Sequence, residues 1–152
     1  MEDYLHDELI FRDLNVKTAE EALDYLAEQL FKKGYVKEEY ILAIKEREQE
    51  YPTGLPSTQP AVAIPHANYE LVKETSLAIA TLSQAVTFHN MENTQEKIPV
   101  KIIIMMAISE PHGQVEMLQK IVGLIQNESL RKEMIQASSN QSLLKLVEKA
   151  IH

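Results

Sequence analysis

No cysteine occurs in the 152 residues, which removes disulfides, thiolate metal sites and a cysteine nucleophile together. No window reaches the roughly 18 consecutive apolar residues of a membrane span, so direct membrane insertion is not expected. Clusters of basic residues are lacking as well. The 15 Lys and Arg are interleaved with 23 Asp and Glu, for a net charge of −8, whereas a phosphate backbone demands grouped cations. This argues against nucleic acid as a partner and leaves a basic protein open. The acidic start, Met1-Glu2-Asp3-Tyr4, has no basic region of the kind that opens a signal peptide, so a cytoplasmic protein is expected. Glycine-rich phosphate loops, serine elbows, internal repeats and low-complexity tracts are also missing.

What is present is globular. An apolar fraction of 45% beside 25% charged residues supports one sizeable core, and the whole of 1–152 is expected to form a single domain. Leu9 to Leu14 reads as a first strand. Thr18 with Glu21 marks a capping box, Ala22, Leu23, Leu26 and Leu30 keep helical spacing, and Gly34 stops that helix. A second helix is predicted from about Lys37 to Glu50, ended by Pro52. Its residues Tyr40, Ile44, Arg47 and Tyr51 share a face, which aims Arg47 inward, while Glu46, Glu48 and Glu50 read as a solvated charge run. Pro52 to Pro60 is a loop by its prolines and glycine. Ser76 to Leu82 is a strand, with a short one at Val86 to Phe88, and His89 falls in the polar turn after it. Pro99 to Ile108 is the most apolar run and is expected to be a central strand covered on both faces. A helix follows Ser109-Glu110-Pro111-His112, with Val115, Leu118, Ile121, Val122 and Ile125 inward. Two more close the chain, one capped by Asn127, the other carrying Leu143, Leu144, Val147 and Ile151. The order predicts an α/β sandwich, a small mixed β-sheet flanked by helices on both faces.

The chemistry concentrates at Ala61-Val62-Ala63-Ile64-Pro65-His66-Ala67-Asn68. A short apolar strand ends at Pro65, which donates nothing to a ladder and presets its own φ, so His66 leaves the sheet on a stiff segment. An isolated histidine there is more often a strand-end cap than a reactive group, and its company decides. His112 also follows the carboxyl end of a predicted central strand, at a helix N-terminus that favours a phosphoryl group or another oxyanion. Arg47 ends the helix that empties into the loop feeding the His66 strand and supplies a candidate cationic contact. Two histidines and an arginine, with no cysteine, no serine elbow and no glycine-rich phosphate loop, describe a phosphohistidine site better than a hydrolase. A zinc pair of His66 and His112 lacks its third ligand. Asn68 and Thr53 are candidate polar contacts, Glu110 is expected to be solvated, Met91 and Met117 are candidates to flank a partner surface, and His6 and His152 are assigned no catalytic part.

Val62-Ala63-Ile64-Pro65-His66-Ala67, with Arg47-Glu48 and Pro52-Thr53-Gly54-Leu55 upstream and His112-Gly113-Gln114-Val115 opening a later helix, resembles the EIIA domain of the fructose/mannitol family of the bacterial phosphotransferase system. The resemblance covers nearly the whole chain, and the Pro-Thr-Gly-Leu segment is most similar to the galactitol branch. It implies that His66 accepts a phosphoryl group from the phosphohistidine of HPr and passes it to a cysteine of an EIIB partner. It further implies that His112 steadies the phosphoryl oxygens and that Arg47 adds fixed positive charge. No cofactor or metal is implied, and a membrane EIIC is an indirect partner in uptake of a sugar or polyol. A nitrogen-related regulatory module of the same superfamily, and a hydrolase using a His pair, are the alternatives. Pro111 and Gly113 around His112 depart from the family pattern and bear on how that imidazole is held.

Overall fold

The computed structural model of the chain describes residues 4–151; Met1-Glu2-Asp3 and His152 lie outside the described residues. Four strands, β1 (Ile10–Leu14), β2 (Ala61–Ala63), β3 (Ser76–His89) and β4 (Lys97–Ala107), form one mixed sheet in the order β1-β3-β4-β2. β1 runs parallel to β3 and β2 parallel to β4, while β3 and β4 are antiparallel. The carboxyl ends of β2 and β4 therefore open on one edge, as the positions of His66 and His112 in the sequence anticipate.

The apolar run of β4 alternates across the sheet. Ile103, Met105 and Ala107 enter a core with Leu23 and Leu26 of α1 (Ala19–Lys32) and Tyr40 and Ile44 of α2 (Glu39–Glu50). Ile102, Ile104 and Met106 enter a second core with Ile121 and Leu124 of α3 (Pro111–Ile125), Met134 of α4 (Glu128–Gln136) and Leu144 of α5 (Asn140–Ala150). A strand buried on both faces needs apolar residues at every step, which is what 102–107 supplies. The α/β sandwich with helices on both faces is the predicted one.

Local signals largely act as read. The Thr18 hydroxyl accepts the Glu21 N–H at 3.1 Å, Asn127 accepts the Leu130 N–H at 3.0 Å, and Gly34 takes the left-handed conformation, φ 87°, that ends α1. Three details differ. The stretch read as two strands from Ser76 is one, because a register shift against β4 between Thr81 and Val86 absorbs the polar Ser83 and Gln84 without ending the ladder. His89 thereby ends a strand rather than lying in a turn. α3 is rotated from the predicted face: Met117, Ile121 and Leu124 are buried, while Val115 and Val122 are 55% and 47% exposed. Met117 is thus core rather than a flank of a partner surface. On α4, Arg131 is the bulkiest fully buried side chain among the described residues, and nothing in its charged sequence neighbourhood announces it.

Candidate functional site

β2 stops at Ala63, but the chain stays in the sheet's frame for three more residues. The Pro65 carbonyl accepts the Met106 N–H at 2.8 Å, and His66 pairs with Met106 in a parallel bridge. Met106 is itself fixed from α2, since the buried Tyr40 hydroxyl donates to its carbonyl at 2.9 Å. On the other side, the Ile64 N–H donates to the Thr53 carbonyl at 3.1 Å and the Leu55 N–H to the Val62 carbonyl at 2.9 Å. The proline-rich segment is therefore not a loose loop at this point: Thr53-Gly54-Leu55 lies along β2 as a further rung. Gly54 is required there because a Cβ would come within 2.6 Å of the His89 carbonyl oxygen. The imidazole thus leaves a segment clamped on both sides.

The orientation of His66 selects its reactive nitrogen. Nδ1 lies 2.9 Å from the Ile64 carbonyl; a carbonyl only accepts, so Nδ1 carries the proton and Nε2 keeps its lone pair. The side chain is half-buried. Burial holds its pKa below 6.5, the Ile64 carbonyl pulls the other way, and the Arg47 charge adds to the lowering. A neutral, oriented imidazole with a free Nε2 is a competent nucleophile near neutral pH.

The remaining candidates sort by where their side chains go. Arg47 is exposed, with its guanidinium 5.3 Å from the ring of Tyr51, and acts on His66 through its field. It does not point inward as its helical spacing predicts. The buried line of α2 follows Tyr40, Ile44 and the half-buried Glu48 in steps of four, which leaves Arg47 at the edge of that stripe in the last turn. Glu48 is the residue the sequence conceals, since it reads there as one of three solvated acids. Its Oε2 accepts the Thr53 N–H and its Oε1 the Thr53 hydroxyl, both at 2.7 Å. Burial pushes its carboxyl up to about 7 against those two hydrogen bonds and the Arg47 charge. Thr53 is accordingly a structural contact of Glu48. Asn68 turns away and caps the short helical turn Tyr69–Leu71 through the Glu70 N–H.

His112 stands at the start of α3, largely in solvent, and its Nε2 lies 3.0 Å from Glu116 one turn on. The acid that meets it is Glu116 and not its neighbour Glu110, which is exposed as expected. α3 itself is tied to the site, for the Gln114 side chain donates to the Ala67 carbonyl at 3.1 Å. His6 packs on Tyr35 with ring centroids 5.0 Å apart, and His89 bonds the Thr94 carbonyl at 2.9 Å; both lie apart from His66 in these contacts. Among the described residues no three His, Asp or Glu side chains gather in a way that would hold a metal ion.

The two buried titrations have opposite signs. For His66 the folded pKa is depressed, so below pH 6.5 the unfolded chain takes the proton first, and its contribution to stability is whole above 6.5 and lost as the pH falls. For Glu48 the folded value of about 7 exceeds the ordinary 4.5, so its contribution is whole below 4.5 and is lost as the pH rises through 7. Glu48→Gln, which keeps an amide in place of the acid, should gain on the parent in urea denaturation from pH 5 to pH 8, by about 3 kcal/mol at most. A difference independent of pH would refute the buried-acid assignment.

A family model described as "Phosphoenolpyruvate-dependent sugar phosphotransferase system, EIIA 2" matches residues 3–150. The chain is 25% identical over 121 residues to the galactitol-specific EIIA component of Escherichia coli K12, covering 80% of each. It is 26% identical over 149 residues to the mannitol-specific cryptic phosphotransferase enzyme IIA component of the same strain, covering 97% of each. Among solved structures, it matches the complex of enzyme IIA mannitol with phosphorylated enzyme IIB mannitol from Escherichia coli with a TM-score of 0.75 and 27% identity, over 93% of this chain and 95% of that one.

Proposed function

The chain belongs to the EIIA 2 family of the phosphoenolpyruvate-dependent sugar phosphotransferase system, and on that premise we propose that it is a histidine phosphocarrier whose acceptor is Nε2 of His66. The observation that carries this reading is the hydrogen bond from Nδ1 to the Ile64 carbonyl, which leaves a neutral Nε2 lone pair on a clamped, half-buried ring. In the forward step that lone pair attacks phosphorus of phospho-HPr. The new Nε2–P bond forms as the donor's N–P bond breaks, and the electron pair leaves with the donor imidazole. In the second step a cysteine thiolate of EIIB attacks the same phosphorus and His66 is regenerated. Phosphoryl transfer asks the protein for in-line positioning and charge neutralisation. Arg47, exposed and already within electrostatic reach of the ring, supplies part of the second.

Donor and acceptor must reach one imidazole in turn. The exposed Val115 and Val122 on α3, whose first turn is bonded to Ala67, support docking of a partner face beside the site. The complex of a related IIA with a phosphorylated IIB supports EIIB as acceptor, and HPr as donor and EIIC as the membrane component follow from the family. The likeness to galactitol- and mannitol-specific components supports a polyol as cargo, galactitol first.

Incubation with phosphoenolpyruvate, Enzyme I and HPr, then intact mass and alkaline peptide mapping, tests the reading. One added phosphoryl group on His66 is expected, and an uncharged protein beside fully charged HPr would overturn it. His112→Ala should still label, about 10- to 100-fold more slowly, as expected for loss of one charge-stabilising contact. Labelling at the parent rate would remove His112 from the site.

A further inference from the structure

We infer that Glu48 is a positioning residue for His66: its carboxylate fixes the Thr53 main chain, which through Ile64 sets the tautomer and direction of the imidazole. The contacts run without a gap. Both carboxylate oxygens of Glu48 receive donors from one residue, the N–H and the hydroxyl of Thr53, at 2.7 Å each. The Thr53 carbonyl receives the Ile64 N–H at 3.1 Å. The Ile64 carbonyl receives Nδ1–H of His66 at 2.9 Å.

Each link constrains the next. A two-point grip stops rotation of the Thr53 peptide, where a single hydrogen bond would leave it free to rock. Ile64 precedes Pro65 and is held to extended backbone, so once its N–H is anchored the direction of its carbonyl follows. That carbonyl decides which ring nitrogen keeps the proton. The opposite flank of the segment is held through Met106 to Pro65, with the Tyr40 hydroxyl on the Met106 carbonyl one step further from the ring. Glu48 is thus the α2 side chain whose contacts lead to the carbonyl that holds Nδ1.

Its setting fits that part. An acid at the surface of a terminal helical turn belongs in water, yet this one is half-buried under a loop with its pKa raised, an arrangement that costs stability and holds geometry. Arg47 beside it acts on both Glu48 and His66 by charge, so the variants must separate charge from geometry.

The inference rests on the phosphocarrier reading for its purpose, but its first readout does not. Imidazole ¹⁵N spectra of the free protein report the His66 tautomer directly. The parent should show Nδ1–H with an unprotonated Nε2. Glu48→Ala should shift the ring to mixed tautomers and slow phosphoryl acceptance about 10- to 100-fold, the cost of a reacting atom displaced by about an ångström. Glu48→Gln should recover the parent tautomer and a rate within about threefold, because the amide oxygen still accepts the Thr53 N–H and its NH₂ can donate to the Thr53 hydroxyl. Thr53→Val, which deletes one of the two grips at nearly constant shape, should fall between and serves if the alanine variant does not fold. A parent-like tautomer in Glu48→Ala, or a glutamine variant as disturbed as the alanine one, overturns the assignment. Tautomers as expected in a protein that accepts no phosphoryl group would sustain the positioning and refute the carrier.

Discussion

His66→Ala is expected to reduce phosphoryl incorporation from phospho-HPr to background while the protein stays folded. The size of the effect follows from the chemistry. Without Nε2 no N–P bond can form, and no neighbouring group is built to replace it: His112 faces Glu116 in solvent, and Arg47 is a cation with no lone pair to offer. Stability should barely change. The imidazole is half-buried, and its one recorded hydrogen bond is to the Ile64 carbonyl, a loss of about 1 kcal/mol. The surrounding clamps, Thr53 to Ile64 and Met106 to Pro65, are main-chain contacts that survive. His66→Gln should behave alike, since a carboxamide is no nucleophile. Intact mass after incubation with the donor and circular dichroism of the same sample measure both halves. A phosphorylated His66→Ala protein would transfer the acceptor role elsewhere in the chain.

The contrast between Arg47 and Glu48 explains what the sequence could and could not convey. The apolar run 102–107, the caps at Thr18 and Asn127 and the stop at Gly34 are local signals, and the fold that depends on them is the predicted one. The Pro65-His66 exit from β2 is local too, so the principal candidate was legible from its own neighbours. The rest of the site is made by contacts across the sheet. Glu48 sits among acids that look solvated, and its burial depends on Thr53 folding back beside β2, which helical spacing does not encode. Periodicity aimed Arg47 inward because Tyr40, Ile44 and Arg47 share a stripe, but α2 meets the sheet along Tyr40, Ile44 and Glu48. The same shift moved Val115 and Val122 to the surface and Met117 into the core. A face can be read from periodicity to within one neighbouring row, and an active site is decided within that margin.

Arg131→Ala is expected to be the most destabilising single change outside the hydrocarbon core, at about 3 to 5 kcal/mol. The side chain is fully buried on α4 and gives every arm of its guanidinium to an oxygen. Nε donates to the Pro60 carbonyl at 2.9 Å, one terminal nitrogen to the Leu124 and Ile125 carbonyls at 2.9 and 2.5 Å, and the other to the carbonyl and hydroxyl of Thr58 at 3.0 and 2.7 Å. Leu124 and Ile125 end α3; the Leu124 carbonyl also takes the Asn127 N–H at 3.1 Å, and the cation both caps that helix end and complements its dipole. Thr58 and Pro60 belong to the segment that enters β2. One guanidinium therefore joins the end of α3 to the approach to His66, and its removal takes a donor from four carbonyls at once, of which Leu124 keeps the Asn127 N–H and Thr58 the Ser57 hydroxyl. Arg131→Lys should lose about 2 kcal/mol or more, because a single ammonium cannot span sites arranged for a planar fork. Urea denaturation midpoints of the two variants against the parent measure this, and a loss below about 1 kcal/mol for alanine would refute the clamp. The folded fraction offers a sharper separation. The contacts that orient His66 run through Thr53 and Met106 and not through Arg131, so the alanine variant should keep the Nδ1–H tautomer while it unfolds early. Stability and orientation at this site then rest on two different side chains, Arg131 for the one and Glu48 for the other.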